Sequence, residues 1–132
     1  MAESRPVAIV VGVGAGLGAA LARRFAEKYA VALVARSDDV TSALAKEIRG
    51  AGGVALPVRG DAAVPEQVAA ADEQIRKEIG TPDVLIYNGG RRPFGTLVDT
   101  TPEVFDETWR GHTLGAFLWS RRPSSRSAGS RR

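Results

Sequence analysis

The chain has 132 residues, 44% of them hydrophobic and 25% charged, with no cysteine and a single histidine. That is enough for one globular domain with a real core, and it excludes disulfides, a thiol nucleophile, a zinc–thiolate site and a His-rich metal site. No apolar run approaches a membrane span and the first residues lack a signal-peptide core, so a cytoplasmic address is expected; five of the 18 basic residues (Arg121, Arg122, Arg126, Arg131, Arg132) crowd the last twelve positions, leaving 13 basic against 15 acidic residues and no basic face for nucleic acid.

Met1 to Pro6 reads as a short leader. Val7-Ala-Ile-Val-Val11 is an apolar run that predicts a buried strand. The chain then turns through Gly12-Val-Gly-Ala-Gly-Leu-Gly18, four glycines in seven residues, and enters Ala19-Ala-Leu-Ala-Arg-Arg-Phe-Ala, a good helix former. The first helix is expected from about Leu17 to Tyr29, with Leu21, Phe25 and Tyr29 on its buried side. Strand, glycine turn and helix in that order make a cradle for a diphosphate. Glycines admit a close phosphate, and the first amides of a helix lack internal partners and sit at the positive end of its dipole. Gly14-x-Gly16-x-x-Ala19 fits the dinucleotide fingerprint G-x-G-x-x-G/A, and Gly12-x-x-x-Gly16-x-Gly18 overlaps it in a second spacing. No Lys-Ser/Thr follows, so this is not an ATP or GTP phosphate loop.

Ala30-Val-Ala-Leu-Val-Ala35 predicts a second strand, apolar throughout as in a parallel sheet covered on both faces. The connection is a βαβ unit, right-handed by rule. Arg36-Ser37-Asp38-Asp39 follows. A second helix is expected from about Thr41 to Arg49, stopped by Gly50-Ala-Gly-Gly53. Val54-Ala-Leu-Pro-Val-Arg59 is the third strand, and Pro57 argues for an edge position. Gly60-Asp61 turns the chain into a third helix from Pro65 to about Ile79. Asp83 to Tyr87 is the fourth strand, Asn88 to Gly95 a loop. Thr101-Pro102-Glu103 opens a fourth helix with Phe105, Trp109, His112, Ala116 and Trp119 on one stripe. The alternation predicts a Rossmann-type doubly wound parallel α/β sheet, incomplete, in the order 3-2-1-4 with helices on both faces. Residues 1–122 form this domain. Residues 123–132 are Ser/Arg-rich, hold no apolar residue larger than Ala and Pro, and are expected to be disordered.

These residues resemble the N-terminal half of the NADP-dependent short-chain dehydrogenase/reductases, from residue 7 to about 122. The family's Thr-Gly-x-x-x-Gly-x-Gly reads here Val11-Gly12-Val13-Gly14-Ala15-Gly16-Leu17-Gly18, with Val for Thr. The resemblance implies that Gly12, Gly14, Gly16, Leu17 and Gly18 hold the pyrophosphate. An acid after the second strand serves NAD; Arg36 stands in that slot, and a guanidinium suits the 2′-phosphate of NADP, with Ser37 adding a hydrogen bond. The rival reading is a surface arginine whose charge Asp38 and Asp39 absorb. Asp61 matches the family's adenine-contacting Asp, though an Asp after a strand is also a routine turn residue. Tyr87-Asn88-Gly89-Gly90 stands for Asn-Asn-Ala-Gly, which places Asn88, Gly89 and Gly90 by the neighbouring ribose. His112 occupies the position of a catalytic Asn that holds a relay water; a helix-packing histidine is the equal alternative.

One departure is decisive. The family's Ser and Tyr-x-x-x-Lys pair are absent: Tyr29 is followed four residues later by Leu33 and Tyr87 by Arg91. No catalytic residue is therefore assigned. The expectation is the cofactor-binding portion of an oxidoreductase that moves hydride between NADP(H) and a carbonyl or alcohol, apparently truncated or frame-shifted. Two alternatives stand beside it: an inactive nucleotide-binding fragment, and an interaction protein acting through its basic tail. The fourth strand has no fifth beside it, so its apolar edge is expected to drive self-association.

Overall fold

The structure, a computed structural model, describes residues 4–90 and 93–123. Arg91, Arg92 and all of the expected tail beyond Pro123 lie outside the described residues. The elements are β1 (Val7–Val11), α1 (Leu17–Ala26), β2 (Ala30–Ala35), α2 (Asp39–Gly50), β3 (Val54–Arg59), α3 (Pro65–Glu78), β4 (Pro82–Tyr87), α4 (Pro102–Trp109), a π-helical segment (Arg110–Leu114) and α5 (Gly115–Ser120). The four strands form one parallel sheet in the order β3-β2-β1-β4. Pro57 lies on edge strand β3, where its missing N–H breaks no central ladder.

The sheet is covered on both faces, which is why β1 and β2 are apolar at every position. Side chains alternate along a strand. Ala8, Val10, Val31, Leu33 and Ala55 pack against Ala19, Ala22, Leu44 and Ile48 of α1 and α2. Val7, Ile9, Val11, Val34 and Val58 pack against Val68, Ala71 and Ile75 of α3 and Leu118 and Trp119 of α5. Fully burying one such Val, Leu or Ile is worth about 1.5–3 kcal/mol. The ion pairs Arg23–Glu47 and Arg24–Glu27 are solvent-exposed and screened, so the two apolar layers hold the fold.

Two expectations need correction. Helix α1 stops at Ala26, and its buried face is Gly18, Ala19, Ala22 and Ala26 rather than Leu21, Phe25 and Tyr29. Small side chains let the helix lie close to the sheet, and the larger ones are left half-buried at its rim. Tyr29 lies beyond the helix and packs on Phe25 with ring centroids 5.5 Å apart. The fourth helix is not one regular stripe. Its π-helical turn inserts a residue, which rotates everything beyond by about 100° relative to an unbroken α-helix. Gly115, Leu118 and Trp119 are buried after the turn, while Phe105, Trp109 and Phe117 stay exposed. The start of β4 is irregular as well: the register against β1 shifts between Val7 and Ala8. Pro82 has no N–H to give there, and the Val7 amide donates instead to Asp83 Oδ2 at 2.9 Å.

Asp72 of α3 is only 1% exposed. Its Oδ2 accepts from Arg76 Nε at 2.8 Å and from Arg122 Nε, just past α5, at 3.0 Å. The carboxylate thus fastens α5 to α3. Asp72→Asn keeps the volume and removes the charge. Because both arginines are part-exposed, the expected loss is about 1–2 kcal/mol, read as a lower urea midpoint at unchanged slope. An unchanged midpoint refutes the fastening role.

Candidate functional site

The four loops that leave the carboxyl ends of the strands meet in one cleft of about 820 Å³. Gly12, Val13 and Gly14 enter it after β1, Arg36 and Ser37 after β2, Gly60 to Val64 after β3, and Asn88, Gly89 and Gly90 after β4. The strand order reverses between β1 and β4, so the cleft lies at the switch point, where ligands of open α/β sheets bind. Helix four closes one side with Glu107, Arg110 and Gly111, and Val40 of α2 closes another. Among the described residues no group of His, Cys, Asp and Glu could hold a metal.

The glycines divide by task. Gly12 has φ +88, and a Cβ there would run into the carbonyl of Asn88 and stand 2.7 Å from the Gly89 nitrogen. Its amide and that of Val13 both donate to the Val34 carbonyl, at 2.9 and 3.1 Å, which binds the turn to β2. A Cβ on Gly18 would meet the Gly12 carbonyl oxygen at 2.5 Å and Val13 Cα at 2.9 Å, so Gly18 seats the helix on the turn. Gly14 and Gly16 face nothing within 4 Å. They border open space, as a turn that admits a phosphate requires. Ala19 donates to the Gly14 carbonyl and Ala20 to that of Gly16, so the helix ladder starts there and the Leu17 and Gly18 amides precede it. Gly16, Leu17 and Gly18 do not themselves wall the cleft, and the Leu17 side chain is exposed.

Arg36 is exposed and lines the cleft. The rival reading put its charge on Asp38 or Asp39, but it forms an ion pair with neither. Ser37 Oγ donates to Asp39 Oδ2 at 3.4 Å. Asp61 is partly committed to its own turn: Oδ1 accepts from the Ala63 amide at 2.9 Å, while its amide donates to Gln67 Oε1 at 2.7 Å. Asn88 is committed too. Its amide donates to the Val11 carbonyl at 2.8 Å and Nδ2 to the Gly12 carbonyl at 3.3 Å. Asn88 thereby also latches the glycine turn to the end of β4.

Tyr87 explains the shape of helix four. Its hydroxyl donates to the Gly111 carbonyl inside the π-helical segment. Its ring fills the space that a Cβ on Gly89 or Gly115 would need. Burial, and then the nearby charge of Asp61, push the Tyr87 hydroxyl above its ordinary range, so it stays protonated as a donor. His112 lies in the same segment, with its ring against Gly90, and is not among the residues walling the cleft. Sequence reasoning missed Val40, Glu107, Arg110 and Gly111. The three-residue spacing of Glu107 and Arg110, one helical face, was the available signal.

A glycine turn that opens a helix at the switch point of a parallel sheet defines the Rossmann-type class of α/β folds. The model of the family described as short chain dehydrogenase matches residues 6–126. The chain belongs to that family. It is similar to versicolorin reductase 1 of Aspergillus parasiticus, 34% identical over 117 residues, which covers 87% of this chain and 45% of the relative. The structure of an actinorhodin polyketide ketoreductase variant with NADPH superposes with a TM-score of 0.85 at 28% identity, over 91% of this chain and 47% of the other. L-Sorbose reductase from Gluconobacter frateurii, complexed with NADPH and L-sorbose, gives 0.83 at 32% identity, over 89% and 46%. The chain thus spans about 45% of the length of versicolorin reductase 1.

The division among the glycines has a measurable consequence. Gly12→Ala forces a Cβ into the Asn88 backbone at positive φ and should cost about 2–3 kcal/mol or more of unfolding free energy, whereas Gly14→Ala should change it by less than about 0.5 kcal/mol. Equal losses at both positions refute the assignment.

Proposed function

We propose that the chain is the NADP-binding portion of a short-chain oxidoreductase, whose whole protein moves hydride between nicotinamide and a carbonyl or alcohol. One observation carries the cofactor choice. Arg36, unpaired among the described residues, occupies the cleft wall where an acid would serve the 2′-hydroxyl of NAD. Gly14, Gly16 and the Leu17 and Gly18 amides take the pyrophosphate, Gly12 and Gly18 shape that turn, Arg36 and Ser37 take the 2′-phosphate, and Asp61 takes the adenine. Asn88, Gly89 and Gly90 lie along the next ribose. NADPH in the ketoreductase and L-sorbose reductase structures supports this reading. The bound nicotinamide supplies the hydride.

A second reading rests on the two tyrosines: the chain binds nucleotide without turnover. Tyr29 lies just before β2, at the end of the sheet away from the cleft, and the Tyr87 hydroxyl is held by the Gly111 carbonyl. Neither is placed to exchange a proton with a substrate. His112 remains a packing residue in this reading.

Titration by nicotinamide fluorescence tests the cofactor choice. NADPH should bind at least about tenfold more tightly than NADH, the worth of one charge-assisted bond. Arg36→Asp should abolish or reverse that preference. Equal affinities in the unaltered chain, unmoved by Arg36→Asp, overturn the assignment.

We also propose that the isolated chain self-associates. Among the described residues strand β4 has a neighbour on one side only, and its Val84, Leu85 and Ile86 are half-buried. A cavity of about 220 Å³ lies along that edge, lined by Asp72 and Trp119, whose buried Oδ1 and Nε1 atoms have no hydrogen-bond partner among the described residues. Unpaired backbone beside apolar side chains is a template for another strand. Sedimentation at micromolar concentration should show dimers or larger species, and a clean monomer refutes the proposal.

A further inference from the structure

Two arginines end neighbouring strands without a counter-charge. Arg36 follows β2, and Arg59 closes β3, paired with Ala35 across the parallel ladder. Arg59 Nε donates to the Arg36 carbonyl at 3.2 Å. An arginine carries five N–H donors on a planar fork. This bond therefore leaves the Arg59 terminal nitrogens to point elsewhere. Neither guanidinium forms an ion pair among the described residues. Two of the neighbouring acids have contacts of their own: Asp39 accepts from Ser37, and Asp61 from the Ala63 amide.

The pleat sets which way Arg59 faces. Val58 points into the layer beneath α3, and Ala55, four residues before Arg59, into the layer beneath α2. Arg59 shares the face of Ala55. Val40 of α2 walls the cleft with Arg36 and Ser37, so Arg59 faces the same side of the sheet as they do, beside the cleft wall and not itself part of it.

Two like charges held through one carbonyl, neither ion-paired among the described residues, repel unless a ligand brings two negative charges. A phosphate monoester does so: near neutrality it carries about −1.5 to −2 and offers three acceptor oxygens. We propose that Arg59 is the second guanidinium of the 2′-phosphate site, gripping from β3 the group that Arg36 grips from β2. This rests on the NADP reading and adds to it a specificity residue from another strand. The 2′-phosphate is then held between two forks, which a single surface arginine cannot do.

The test uses the full chain with 2′,5′-ADP and 5′-AMP, which differ by the phosphate in question, and needs no turnover. Arg59→Met should weaken 2′,5′-ADP about tenfold and leave 5′-AMP within about twofold. The unchanged 5′-AMP affinity also shows that the variant is folded. Arg59→Lys, which keeps the charge and loses the fork, should fall between. In a double-mutant cycle Arg36→Met and Arg59→Met should be non-additive for 2′,5′-ADP, because both meet one phosphate. If Arg36→Met removes the preference for 2′,5′-ADP and Arg59→Met does not, this inference fails and the NADP reading stands. If Arg59→Met weakens both nucleotides alike, Arg59 supports the loop and is not a phosphate ligand. If the unaltered chain binds the two equally, the NADP reading fails and takes this inference with it.

Discussion

The close approach of two backbones at Gly12 is the constraint on which the rest depends. The chain leaving β4 passes so near Gly12 that no Cβ fits between them. Hydrogen bonds close the junction from three directions: Gly12 and Val13 onto Val34, the Asn88 amide onto Val11, and the Asn88 side chain onto the Gly12 carbonyl. One residue without a side chain thereby ties the ends of β2, β1 and β4 together. Gly18 extends the arrangement by seating α1 on the same turn. With those contacts made, Gly14 and Gly16 are the glycines left facing space. The stability of the sheet and the openness of the cleft thus come from one short stretch, divided residue by residue.

On the far side of the cleft, Tyr87 does for helix four what Gly12 does for the strands. The tyrosine at the end of β4 lies directly against helix four. It is accommodated by glycines at 89 and 115 and by a π-helical turn that offers the Gly111 carbonyl to its hydroxyl. Such single-turn π insertions are costly to maintain without a contact that uses them. Here the contact is visible, and it sets the register that buries Leu118 and Trp119 and leaves Trp109 and Phe117 outside. The same helix brings Glu107 and Arg110 to the cleft, so the shape of the site and the packing of the helix have one cause.

The charges of the cleft follow a similar economy. Acids in its loops are turned to local work, Asp61 in its own turn and Asp39 toward Ser37. Arg36 and Arg59, after β2 and at the end of β3, form no ion pair among the described residues, and Arg36 lines the cleft. Basic residues thus follow β2 and end β3, while glycines line the cleft at the switch point. The difference is one of placement, since the body of the chain outside its last twelve residues has slightly more acidic than basic residues.

The sequence by itself determined the order of elements, the strand order, the glycine turn after β1 and the position of Arg36 after β2. Each of these is written locally: apolar runs of strand length, helical periodicity, a Pro in β3 and four clustered glycines. It also carried the family resemblance and the absence of Tyr-x-x-x-Lys, since motifs are patterns along the chain. Contacts between segments distant along the chain were decided only by tertiary structure. Arg59 meets Arg36 from 23 residues away. Asn88 meets Gly12 from 76 residues away, and Asp72 holds Arg122 from 50. The face that α1 buries followed from how near the helix can come to the sheet, which favours Ala19 and Ala22 over Leu21 and Phe25. The register of helix four followed from the bulk of one tyrosine on another element. Periodicity shows that a helix has an inner face; the volumes it meets decide which residues that face contains.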